Sequence, residues 1–194
     1  MKNSLSLIEL ILAIVLFGII ILAATTLDIA SLSFFKSSTN KAKVLNDASR
    51  ILEHIQKQAL QSHGWINEPG YFIANHELRI CIDDPMTPDI FHDDRLVRYL
   101  YNPADYTLEY CSNLTAPGAV CSKAFKDTLS RRVKSIKFDD SKVNIGGNET
   151  TIGVTVEVTT QLDPSAGVAC GDDARNNPCA QLQGNFHFGA HSFH

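Results

Sequence analysis

The sequence predicts an α+β protein, with a long N-terminal α-helix, transmembrane in its first half, packed through its second half against an antiparallel β-sheet head. Three observations carry this. Residues 10–27 form a run of 18 without a charge, ~27 Å as a helix and close to the ~30 Å hydrocarbon core of a bilayer. Residues 43–60 then place Leu45, Ala48, Leu52, Ile55 and Ala59 at spacings of three and four among Lys, Asp, Arg, Glu and Gln, the signature of an amphipathic helix lying on a core. Beyond residue 70 the pattern changes to short apolar/polar alternations, the period of half-buried strands.

No proline occurs before Pro69, so a single helix is expected over residues 5–62, stopped by His63-Gly64. It divides into a transmembrane part, 5–27, and an amphipathic part, 28–63, and the β-rich head takes 64–194. In the head, "YFIANHELRICI" reads as two strands around Asn75-His76. "RLVRYLY" and "YTLEYC" flank the turn "NPAD", whose Asn, Pro and Asp suit a hairpin. "VKSIKF" and "TIGVTVEV" follow, the second placing Ile152, Val154, Val156 and Val158 on one face.

Charge and cysteine content bound the function. A net charge of −4 with scattered Lys and Arg gives no basic stripe of the kind nucleic acid requires. The five cysteines, Cys81, Cys111, Cys121, Cys170 and Cys179, all follow the apolar segment. Cys111/Cys121 and Cys170/Cys179 bracket short turn-rich stretches and lack the C-x-x-C knuckles of zinc sites, so two disulfides are expected and with them an oxidising compartment. Cys81 could instead replace a member of either pair, since spacing leaves connectivity open.

The apolar start is readable as a cleavable secretory signal, with "LAATT" as a loose cleavage site, or as an uncleaved anchor. Lys2 orients it with the head outside. Neither reading accounts for Glu9, since an acid in such a segment is costly unless it finds a partner. "SLSLIELILAIVLFGII" (residues 4–20) resembles the class III signal of type IV prepilins and type II secretion pseudopilins. The resemblance implies a leader, residues 1–4, cut by a prepilin peptidase between Ser4 and Leu5. It also implies methylation of the new Leu5 amine and an ion pair between Glu9 and the amine of a neighbouring subunit. Gly18 matches a glycine common in those helices. Ser4 stands where the family usually has Gly, Leu5 where it has Phe or Met, and Thr26 where many major pilins have Pro. The strand order "LVRYLYNPADYTLEY", "LSRRVKSIKF", "GVTVEVTTQL" resembles the J class of minor pseudopilins and related minor pilins, implying a role at a filament tip.

By this resemblance the protein sits in a bacterial inner membrane with its head in the periplasm. Its partners would be other pilins or pseudopilins, the prepilin peptidase and an inner-membrane assembly platform, with nucleic acid entering only as cargo of a DNA-uptake pilus. The alternatives are a tip adhesin or ligand-binding minor pilin, and an anchored periplasmic domain that never polymerises. The segment holding Asp83, Asp84, Asp89, Asp93 and Asp94 could supply oxygens to Ca2+, which some pseudopilins bind, but it lacks the register of an EF-hand and reads as a solvated acidic loop. Asp172 and Asp173 read likewise. His187, His191 and His194 read as an exposed tail in preference to a zinc or copper site. No H-E-x-x-H or G-x-S-x-G motif occurs, and no enzyme is expected. Asn113 and Asn148 fit the minimal glycosylation triplet, which arises often by chance.

Overall fold

The computed structural model describes residues 6–62, 70–82, 95–114, 121–145, 148–171 and 176–187, and among these the side chains of 143–145 and 148–152 are left aside. The expected stop at His63-Gly64 lies outside the described residues. The chain forms two compact units, Met1–Asn40 and Lys41–His194. One helix, α1 (Leu7–Ala59), runs through the boundary between them. Its last turn tightens through Leu60 N–H to Gln56 O, then Gln61 to Gln58 O and Ser62 to Ala59 O, which satisfies carbonyls left open at a helix end.

In the second unit, β1 (Tyr71–Ala74), β2 (Glu77–Ile82), β3 (Arg95–Asn102), β4 (Thr107–Leu114) and β5 (Lys126–Ser130) form a five-stranded antiparallel sheet in sequence order. A second sheet joins β6 (Val133–Ile145), β7 (Asn148–Gln161) and β8 (Cys179–His187), again in order and antiparallel. The predicted turns are present. Asn75 and His76 link β1 to β2, with His76 at φ 60°. Asn102 seeds the β3–β4 turn, where its Oδ1 accepts from Ala104 N–H at 3.1 Å and its Nδ2 donates to Asp105 at 2.8 Å, the local self-bonding that fits Asn to turns.

The head thus contains two sheets where the sequence suggested one. Strand β5 takes the free edge of β4, so β6 finds no partner there. Ser130 Oγ accepts from Arg132 N–H at 3.1 Å and the chain turns at Arg131-Arg132 into β6, whose partner is β7.

One apolar core joins α1 to both sheets. It holds Ala48, Ile51, Ile55 and Ala59 of α1, Leu78, Ile80, Val97, Tyr99 and Leu108 of the first sheet, and Val133, Ile136, Val154, Val156, Val158 and Phe186 of the second. The core-facing stripe of α1 is turned slightly from the expected one, toward Val44 and Ile51 and away from Leu45 and Leu52. Val44 and Ile51 are buried, whereas Leu45 is 47 % exposed and Leu52 packs only at the margin. Gly153 is required by packing. A Cβ there would lie 2.1 Å from Phe186 O on β8, so any side chain would push the strands apart.

Hydroxyl groups tie the three bodies together. Tyr99 of β3 lies 2.8 Å from His54 Nδ1 on α1. Tyr101 of β3 donates to the carbonyls of Val133 (3.2 Å) and Lys134 (2.7 Å) on β6. Tyr71 of β1 donates to Gly153 O on β7 at 2.9 Å, and Thr160 of β7 donates to Val44 O on α1 at 2.8 Å. The tyrosines of the strand that the sequence singles out are therefore internal fasteners.

Candidate functional site

The first unit carries the candidate site. α1 begins with Ser6, whose carbonyl accepts from Glu9 N–H at 3.0 Å and Leu10 N–H at 3.2 Å. Glu9 Oε2 reaches back to accept from Ser6 N–H at 2.9 Å. Ser6-Leu7-Ile8-Glu9 thus has the S-x-x-E spacing of a capping box with the glutamate half formed, and the carboxylate also sits at the positive end of the helix dipole. The S-x-x-E spacing is legible in the sequence itself. The carboxylate therefore has a partner inside its own chain through Oε2, and Oε1 has none among the described residues.

Past Glu9 the helix is apolar on all sides and exposed on all sides. Ile11, Ile14, Phe17, Ile20 and Leu22 are each more than half exposed, and the most apolar 18-residue window has a mean hydropathy of 3.0 with none of it buried. This helix is long and apolar enough to cross a membrane. Two of its hydroxyls are satisfied within it: Thr25 Oγ1 donates to Leu22 O at 3.0 Å and Thr26 Oγ1 to Ala23 O at 2.8 Å, which suits hydroxyls in a medium without water. A Cβ on Gly18 would meet nothing within 4 Å, so nothing in the chain itself calls for glycine there.

Ser4 and Leu5, the expected cleavage and methylation site, lie outside the described residues. So do Asp83, Asp84, Asp89, Asp93 and Asp94, Asp172 and Asp173, and His191 and His194. Among the described residues no group of three His, Cys, Asp or Glu is placed to hold a metal ion. His187 ends β8. Disulfides join Cys111 to Cys121 and Cys170 to Cys179, and Cys81, on β2, is in neither.

Within the head, His54 is half-buried between Tyr99 and Tyr110, with ring centroids 5.8 and 4.5 Å away. Burial lowers its pKa below 6.5, and the charges of Lys57 and Arg50 act in the same direction against a smaller opposing effect of Asp127. The pKa of the buried Tyr99 hydroxyl is pushed up by burial and by Tyr110, so it stays protonated; it lies 2.8 Å from His54 Nδ1 and donates to His54 O at 3.3 Å. This cluster packs the helix onto the sheet. A surface cleft of about 600 Å³ lies beside the Arg132–Asp47 ion pair (2.8 Å), with Tyr106, Arg131 and Asp163 also on its walls. The pair spends both charges on each other, and in the same cleft Asp163 Oδ1 accepts from Ser165 Oγ–H at 2.6 Å and from Ser165 N–H at 3.1 Å, the local self-bonding of a turn.

No protein-family model, curated protein or solved structure matches the chain.

Proposed function

We propose that this chain is a membrane-anchored, pilin-like filament subunit that works by assembly. The observation that supports it is the unbroken apolar, fully exposed surface of α1 that opens on a carboxylate and is continued, in the same helix, by a core-forming half. In this reading cleavage between Ser4 and Leu5 frees an amine at the edge of that surface. Glu9, with Oε2 on Ser6 N–H and Oε1 without a partner among the described residues, then accepts the amine of an adjacent subunit as the helices bundle. Pairing the two charges removes most of the cost of taking either from water alone. The two disulfides agree with a head on the oxidising, periplasmic side of an inner membrane. Membership of the minor, tip-forming class rests on strand order alone.

The capping contact supports a second reading, an anchored domain that never polymerises, because it gives Glu9 a use within one chain. Glu9→Gln separates the two. Glutamine retains the acceptor of a capping box but has no charge for an amine. The expected result is normal membrane insertion with filament incorporation reduced about tenfold, the equivalent of one lost charge pair. Normal incorporation of the glutamine variant would leave capping as the role of Glu9 and sink the ion pair.

A further inference from the structure

The polar groups of the first unit differ in one respect. Glu9, Thr25 and Thr26 each find a partner in their own helix. Asp28 and Lys36 find none among the described residues, and both are exposed. The sequence forbids an intrahelical solution. Positions 24, 25, 31 and 32, where a cation would face Asp28, hold Ala, Thr, Ser and Leu, and positions 32, 33, 39 and 40 around Lys36 hold Leu, Ser, Thr and Asn. An i, i+8 separation is about 12 Å along the axis, beyond the reach of an i+3 or i+4 pair.

Nor does the apolar surface stop at Asp28. Leu27, Ile29, Leu32, Phe34 and Phe35 are between 65 % and 73 % exposed, so the acid is set within a surface that needs cover, with the cation just past its far edge. Complementary charges at two different levels of one chain cannot satisfy each other in a two-fold dimer of parallel helices. They satisfy each other between copies displaced along the axis, and such a heterologous contact repeats without closing.

Resting on the assembly reading above, we propose that Asp28 of one copy pairs with Lys36 of a parallel second copy displaced by about eight residues, ~12 Å, fixing the axial register of the helices. The occupant of this face is a second copy of the chain because both halves of the pair are carried by it and neither is used within it. Desolvation by the flanking Leu, Ile and Phe side chains makes the pairing selective, since an acid left alone there is penalised.

The test uses the full-length protein in its own host membrane, co-expressed in two tagged forms. With Asp28→Cys in one and Lys36→Cys in the other, oxidation should link the mixed pair at least about tenfold more than either form with itself. Independently, Asp28→Lys and Lys36→Asp should each lower incorporation into filaments by a similar factor, and the double exchange should restore it. Equal cross-linking of all pairs, unchanged incorporation of Asp28→Lys, or failure of the exchange to rescue would overturn the register pair. A neutral Asp28→Lys in a chain that still assembles through Glu9 would mean that Asp28 merely marks the membrane edge. No self-association of the unaltered chain would overturn the assembly reading together with the pair.

Discussion

Two stretches of one helix meet opposite fates. Residues 7–35 carry large apolar side chains around the whole circumference, and nearly all of that surface is exposed. Residues 44–59 carry fewer, confined to one side, and there Val44, Ala48, Ile51, Ile55 and Ala59 are almost completely buried. The second stretch has found its solvent-free partner in the head. The first has the greater hydrophobic content and no partner among the described residues, and it is long and apolar enough to cross a membrane. Stability of the head should therefore be indifferent to the first stretch and sensitive to the second.

The largest effect expected from this contrast is at Ile51. Truncation to Ala should destabilise the head by about 2–5 kcal/mol, the range for a buried aliphatic with incomplete collapse of the cavity. Ile20→Ala, at a position 64 % exposed, should stay within about 0.5 kcal/mol. Denaturant titration of the detergent-solubilised protein, followed by head fluorescence, reads both as midpoint shifts at constant slope. Equal shifts would break the contrast.

Smaller is the loss from Tyr101→Phe. It removes the hydroxyl that serves Val133 O and Lys134 O while keeping the ring, and should cost about 1 kcal/mol in the same titration. A value near zero would mean that water replaces the hydroxyl at no cost.

The smallest is a pH dependence at His54. Its folded pKa lies below its unfolded value near 6.5, so the unfolded chain takes up the proton first. The stability it contributes is complete above about pH 6.5 and declines as the pH falls from there toward the folded pKa. His54→Gln should flatten that part of a stability–pH profile. An unchanged slope would assign it to other groups.

The sequence made some elements legible and not others, for physical reasons. Turns with a local chemical cause were readable, as at Asn75-His76 and at Asn102, because the deciding bonds lie within a few residues. Val154, Val156 and Val158 were readable because a central strand buried on one face alternates cleanly. β5 (Lys126–Ser130) and β8 (Cys179–His187) were not, since edge strands can be polar on most positions, and the exposures of Lys126, Asp127 and Thr128 bear this out. The small turn of α1 is hidden in the sequence because two stripes overlap: 44-48-51-55-59 and 45-48-52-55-59 share three members, and only the surface of the head chooses between them. The division into two sheets follows from β5 holding the edge of β4, a long-range pairing that no local pattern announces. Of the candidate site, Glu9 was conspicuous as a lone acid, yet its bond to Ser6 N–H was missed though the spacing was in view. Asp28 and Lys36 stand out only when the lack of a partner for either among the described residues is set beside the exposure of Ile29, Leu32, Phe34 and Phe35.

The hydroxyl bonds between α1 and the two sheets have a mechanical meaning. Tyr99 ties the first sheet to the helix, Tyr101 and Tyr71 tie the first sheet to the second, and Thr160 ties the second back to the helix. Three bodies joined pairwise make a triangulated frame, in which no member can slide past another without breaking a link on at least two sides. A load applied to residues 44–59 is thus divided between two routes into the head, and the head would yield to tension as a unit in preference to shedding one sheet at a time.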